Sequence, residues 1–392
     1  MRLLERLKYP IITALAFLVV GFYALVTFNL SVLGPVARAL KSIDMTDIYC
    51  QIQQATREPL DCHLITIVDM TDLISRSDLA RTLEEIEAAG PKVIGVDMIF
   101  QGHKEDKHGD EWIGSVSQLY DNIVYSCKLE GFSVKEQEYT GVKRSFFADD
   151  VSPKQGFTNM PRNDLYDDMK RVVAVGRMLN GEPTPSFVTQ VCNMYASQDI
   201  VPLTTKNINI NYQPTRFDVI KADEVAEHPE LIEDRIVLFG AMNEETDMHY
   251  TPLGKIPGVE VLAYSILTVA NEKEVVNVPK DLMWLSSFLI VMATLAWTKW
   301  YRRKIEKECH YAFWRVLLTS IIVMGFLRFL WMALFTLFGF LLFHVFHVSL
   351  NLGWAFSGIA FLLTGESFYN IIAAKAEDLS QRKKTEITDQ NK

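Results

Sequence analysis

Positive charge is in short supply: 392 residues carry 39 Lys and Arg against 48 Asp and Glu, a formal net charge of −9. That balance argues against nucleic-acid binding. Cysteine is scarcer still, at five residues, and Cys50, Cys62, Cys127, Cys192 and Cys309 fall at no zinc-ligand spacing. Tandem repeats and low-complexity tracts are absent, so the chain is not a repeat array. No A-x-A cleavage site follows the first apolar run, which therefore reads as an anchor rather than a removable leader.

Long apolar runs are what the chain does have. Ile11 to Leu30 is free of charge and long enough to cross a hydrocarbon core, and Leu282 to Thr298 is a second such run. From Val316 to Gly365 only Arg328 interrupts the apolar sequence, too long a stretch for one helix. Two spans, residues 313–336 and 348–371, fit it best, with His344 and His347 in the turn between them. The expected plan is a cytoplasmic stretch 1–10, a span 11–30, an exported domain 31–281, a span 282–298, a basic loop 299–312, the two further spans, and a tail 372–392.

Charge orients this plan. Basic residues gather before the first span (Arg2, Arg6, Lys8), in the loop Trp300 to His310, and in the tail at Arg382 to Lys384. The positive-inside rule puts all three on the cytoplasmic side of a bacterial inner membrane, with both termini inside. The middle segment then carries 24 basic and 39 acidic residues and lies outside. In that oxidising compartment Cys50 and Cys62 are placed to close a short loop, the alternative being that the four exported cysteines stay as buried thiols.

Within the exported segment His63 to Val68 reads as a buried strand ending in Asp69, and Val93 to Val96 repeats the pattern and ends in Asp97. Leu79, Leu83, Ile86 and Ala89 mark one face of a helix between them, with Ser77 as its cap and Gly90-Pro91 as its stop. A strand, helix, strand unit makes the two strands parallel and brings both aspartates to one sheet edge. A helix with Trp112, Val116 and Leu119 on its apolar side follows, then a strand at 122–126. Further strands are expected at 172–175, 207–211 and 236–239, and helices at 186–195 and 258–270. The predicted fold is an α/β domain with a mixed, partly parallel sheet, plus four transmembrane helices, one before the domain and three after.

The block Leu64 to Phe100, LITIVDMTDLISRSDLARTLEEIEAAGPKVIGVDMIF, taken with Val237 to Asn271, which contains D-x-H-x-T-P and P-G-V-E-x-x-A, resembles the type-two CHASE domain. That family is a cyclase- and histidine-kinase-associated sensory extracellular domain. The resemblance implies one span before the domain, three after it, and a sensory role. Two features depart from it: Ile74-Ser75-Arg76 stands where many members have Trp and Pro before the Arg, and the cytoplasmic kinase, cyclase or phosphodiesterase that usually follows is expected to be lacking.

Candidate ligand-binding residues are Asp69 and Asp97 at the strand exits, Arg76 at the start of the following helix, and Asp247 with His249 after the strand at 236–239. Open α/β sheets bind ligands at such exits, although carboxylates and arginines there also serve as structural ion pairs. The acidic and histidine-rich loop from His103 to Asp110 has the spacing of a solvated loop rather than a metal site. Arg315, Arg328 and Glu366 are the intramembrane charges, with Arg315 and Glu366 placed to pair and Arg328 without an evident partner. The expected function is a non-enzymatic membrane sensor that needs no cofactor and no metal. Outside it binds a small ligand or an envelope protein, and it signals to a separate membrane or cytoplasmic partner; a homodimer is compatible with this. The alternatives are a docking subunit of an envelope complex, or an exported metal-dependent hydrolase using Asp69 and Asp97.

Overall fold

Apolar strands buried on both faces dictate the centre of the domain, because Ile, Val and Leu in unbroken runs leave no face for water. The computed structural model describes residues 5–29, 44–161 and 169–390, and the chain divides into two compact units, Asp47–Val275 and a second made of Met1–Thr46 with Val276–Lys392. In chain order the elements up to the end of the first of these are α1 (Lys8–Asn29), α2 (Met45–Thr56), β1 (Leu60–Asp69), α3 (Arg76–Ala88), β2 (Val93–Val96), α4 (Lys107–Leu119), β3 (Ile123–Ser133), β4 (Glu138–Lys143), α5 (Ala148–Val151), β5 (Lys154–Phe157), β6 (Val172–Ala174), β7 (Gly176–Leu179), β8 (Glu182–Pro185), α6 (Phe187–Ala196), β9 (Asn207–Asn209), β10 (Thr215–Lys221), β11 (Ile236–Gly240), β12 (Met248–Thr251), β13 (Gly254–Pro257) and α7 (Gly258–Ala270).

A mixed nine-stranded sheet organises the domain, in the order β10-β1-β11-β2-β3-β4-β7-β8, with β5 also on β3. Strands β10, β1, β11, β2 and β3 are mutually parallel, and β5 joins the first half of β3 in the same sense. From Lys128 onward β3 turns to an antiparallel ladder with β4. Strand β11 lies between β1 and β2, so the two aspartate strands flank a third rather than touching. On one face Leu79, Leu83 and Ile86 of α3 and Ile113 and Val116 of α4 join Val68, Ile94, Val237 and Phe239 in a single core. Helices α6 and α7 cover the other face, with Phe187, Val191, Val261 and Ile266 fully enclosed.

Local chemistry explains most boundaries. Ser75, not Ser77, caps α3, its hydroxyl accepting from the Asp78 N–H at 3.1 Å, and Gly90 ends that turn at φ 75°. Ser186 caps α6 through the Thr189 N–H at 3.2 Å. Leu119, assigned above to the apolar face of α4, is 70% exposed, and Ile113 takes the inner position instead. No disulfide joins any cysteine among the described residues. Cys50 and Cys62 are both buried thiols, and burial pushes the Cys127 thiol up to about 11 and Cys192 to about 12.

The second unit holds α1 and, after a two-residue strand β14 (Val276–Asn277), α8 (Lys280–Glu308), α9 (Ala312–Leu318), α10 (Ile321–Phe346), β15 (Val348–Ser349), α11 (Gly353–Ala360) and α12 (Leu362–Gln390). Three of these helices, α1, α8 and α10, are long and apolar enough to cross a membrane, and α11 with α12 passes the same test as one pair bent by 53°. Within the expected span 313–336 the helix breaks at Ser320, which caps α10; that helix runs to Phe346 and ends at a left-handed His347, φ 55°. Close packing follows from small residues, since a Cβ on Gly365 would sit 2.7 Å from the Ile12 carbonyl of α1. Glu366 pairs with Lys299 of α8 rather than with Arg315. Arg2 and the side chains of Arg382 to Lys384 lie outside the described residues.

Gly156 fixes how α6 meets the sheet. A Cβ there would fall 2.4 Å from the Phe187 Cα and 2.5 Å from its nitrogen, and backbone cannot swing aside as a side-chain tip can. Gly156→Ala is therefore expected to lower stability by about 1–3 kcal/mol, measured as the urea midpoint of the purified protein; an unchanged midpoint would mean that α6 is free to shift.

Candidate functional site

Parallel strands align their carboxyl ends, and here that edge reads Asp69, Gly240, Asp97. Asp69 is the register partner of Gly240, and the Asp97 N–H donates to the Phe239 carbonyl at 2.9 Å. Gly240 is required by the crowding around it, because an added Cβ would meet Val259 of α7 at 2.7 Å and Asp97 at 3.4 Å. The chain after β11 then folds back: β12 and β13 form a short hairpin that leads straight into the N-terminus of α7.

This return brings Asp247 and His249 to Asp97 on the wall of an open cleft of about 1410 Å³. The Asp247 Oδ1 is 3.4 Å from His249 Nε2. Gly258 lets that carboxylate approach the first residue of α7, since a Cβ would lie 2.4 Å from its Oδ2. An anion at a helix N-terminus is favoured by the unpaired N–H groups and the helix dipole. Ser126 and Lys128 of β3 also line the cleft, as do Lys143, Lys170 and Arg177.

Asp97 is the group whose chemistry this geometry changes most. Its edge is open to the cleft, but protein packs closely around the carboxyl. That burial, reinforced by the like charge of Asp247 and only partly offset by Lys128 and His249, raises its pKa to about 7. It can therefore gain or lose a proton near neutrality, which makes the Asp97, Asp247 and His249 group able to receive a hydrogen-bond donor or a cation, or to exchange a proton with a bound polar molecule. Among the described residues no group of three or more His, Cys, Asp and Glu has a geometry that could hold a metal ion.

Asp69 and Arg76 have different surroundings. Asp69 Oδ1 accepts from the Thr71 N–H at 2.9 Å, from the Thr71 hydroxyl, and from the Met242 N–H at 3.0 Å, tying the β1 and β11 exits together. The Arg76 guanidinium is buried, ion-paired to Asp110, and donates to the carbonyls of Gln101 at 3.1 Å and Gly102 at 2.8 Å. It also lies over the Phe146 ring, 4.7 Å from the centroid. Neither residue lines the cleft. The His103 to Asp110 loop is consumed by the same assembly. Burial opposes ionisation of Asp110, yet the Lys104 N–H, Arg76 and His103 hold its pKa below the usual range, and Asp106 caps α4 and binds Ser77.

Three of the five expected residues thus converge, and two brace the rim from behind. Lys128 and Gly258 were not singled out for the site. Gly258 is visible as the glycine after Pro257 at a helix start, whereas Lys128 carries no signal because only the pairing of β2 with β3 places it.

A protein-family model described as the CHASE2 domain matches residues 13–298. The chain belongs to the CHASE2 family. CHASE2 is a sensory extracellular domain family and not a catalytic one. The matched residues hold both aspartate strands, β11, the cleft hairpin and α7, and they reach into α1 and α8. Comparison with curated proteins and with solved structures finds no match.

Two outcomes follow for this CHASE2 domain. Arg76→Ala leaves the buried Asp110 carboxylate without its cation and is expected to cost about 3–5 kcal/mol, seen as a large drop in melting temperature. Folded Asp97 titrates near 7 and unfolded aspartate near 3.8, so between those values the folded state keeps a proton that the unfolded chain has lost. Stability therefore falls as pH rises from about 4 to 7, by at most about 4 kcal/mol. Asp97→Asn should flatten that slope and make the protein more stable than wild type at pH 8; a slope that survives the substitution assigns it to another group.

Proposed function

We propose that this CHASE2 protein is an integral membrane sensor whose extracytoplasmic domain binds a polar ligand in the Asp97 cleft and signals through its membrane helices to a separate protein. The convergence of Asp97, Asp247 and His249 at the carboxyl edge of parallel strands carries the reading, since that edge is where open α/β sheets take ligands. Asp97, Asp247 and His249 are the contact residues, and Asp69 and Arg76 hold the rim that positions them. The segment that supplies Asp247 and His249 runs through the β12–β13 hairpin into α7, so occupancy of the cleft bears on that helix directly. Only nine residues, 271–279, separate α7 from the first long apolar helix after the domain.

The bent pair α11 and α12 serves as the fourth span in this reading, and the basic segment from Lys299 to Lys307 marks the cytoplasmic side. That segment is the surface offered to a partner. A docking role for the domain in an envelope complex is the outcome the ligand test would expose.

The test is a thermal-shift screen of the full-length protein in detergent against metabolites and inorganic ions. A true ligand raises the melting temperature in proportion to its occupancy, and the shift should be lost in Asp247→Asn and His249→Gln while the unliganded melting temperatures stay within a few degrees of wild type. If a broad screen yields no shift, and crosslinking in native membranes recovers only extracytoplasmic proteins, the sensor reading fails and the docking role stands.

A further inference from the structure

On α10, Arg328 and Trp331 stand three residues apart and share one helix face. Each has a sheltered N–H that meets no acceptor, Nε of Arg328 and Nε1 of Trp331. The Trp331 ring cannot turn to find one: it stacks on Trp297 of α8, with centroids 5.2 Å apart and planes within 5°, and Phe335 closes its edge at 5.4 Å. Two residues beyond Trp297, Lys299 is ion-paired to Glu366 of α12, and Glu366 is near enough to Arg328 to act on it electrostatically. Two cations share one carboxylate, so the cluster keeps a net positive charge and two orphan donors inside a bundle of apolar helices.

Buried donors without acceptors are rare because leaving them dry is costly. The acceptor that fits is singly anionic, with more than one bare oxygen. Lys299 directly follows the apolar run of α8, and Arg328 lies seven residues into α10, about 10 Å along the helix, so the cluster sits where the apolar run of α8 gives way to charge and within the first third of α10. Immediately around it α10 turns large apolar side chains outward, Ile322, Phe329 and Leu330 being 80%, 66% and 46% exposed. A charged head against greasy walls is the signature of an anionic phospholipid. We propose that Lys299, Arg328 and Trp331 form a site for the phosphodiester headgroup of an anionic lipid, with its acyl chains lying along the outer face of α10. A choline headgroup would add a further cation to a cluster already positive and is disfavoured.

The full-length protein, purified in a zwitterionic detergent, is titrated in mixed micelles with phosphatidylglycerol, with phosphatidylcholine, or with inorganic phosphate alone, and bound lipid is counted by native mass spectrometry beside the melting temperature. Phosphatidylglycerol should remain bound and raise the melting temperature, while phosphatidylcholine should not. Arg328→Gln should weaken retention about tenfold, the loss of one charged hydrogen bond. Trp331→Phe keeps the ring stack, removes only the donor and should also weaken retention, which preserves the test if Arg328→Gln fails to fold. Arg315→Gln, on α9 and in none of the contacts above, should change nothing. Equal binding of the two lipids, or wild-type retention in Trp331→Phe, overturns the site; stabilisation by inorganic phosphate as large as that by phosphatidylglycerol overturns its assignment to a lipid.

Discussion

Insertion of β11 between β1 and β2 is the constraint on which the domain depends. Its five residues are all buried, pairing on one side with Ile65 to Asp69 and on the other with Val93 to Val96. Without it the first strand and the second would have no shared ladder, and Asp97 would lack the Phe239 carbonyl that holds its backbone. Because β11 is parallel to both, its exit at Gly240 delivers the following hairpin to the same edge as the aspartates. The cleft is in this sense a product of register: one residue of slip would turn Val237 and Phe239 away from α3 and α4 and carry the hairpin with them.

Electrostatics at that edge divide the work between neighbouring carboxylates. Asp69 accepts from two backbone N–H groups and a hydroxyl and so binds two chain segments together. Asp110 is buried but satisfied, by a guanidinium, a backbone N–H and an imidazole, and it pins Arg76 over Phe146. Asp97 has the burial without comparable donors, and Asp247 adds a second negative charge. The proton of Asp97 is therefore exchangeable near neutral pH, whereas the proton of Asp110 is not. A ligand that supplied the missing donor would relieve that tension, so binding energy and the strain of an under-solvated carboxyl are linked in one group.

The repeated pattern of an apolar run ending in aspartate made β1, β2 and the helix between them legible, along with the long apolar helices and α7, because those signals are local. What stayed hidden is long-range pairing. The Arg76 partner is 34 residues away, and Asp110 sat in a loop that looked merely solvated. Strand β10 has few features beyond a short alternation. The hairpin of β7 and β8 did have a signal, the Asn180-Gly181 pair, whose φ values of 50° and 82° are those that such turns require. In the helical unit, hydropathy placed the apolar stretch from 316 to 365 but could not see that Ser320 caps a helix start or that Lys299 would reach Glu366 first.

Hydrogen exchange of the full-length protein, with and without a molecule that raises its melting temperature, tests the central claim most directly. Binding in the cleft predicts slowed exchange in residues 97–101, 244–249 and 258–262, together with a change in residues 280–298 that disappears in Asp247→Asn. Protection confined to other surfaces, or cleft protection that leaves 280–298 untouched, would contradict a sensor that reads its ligand at Asp97 and reports it through the membrane helices.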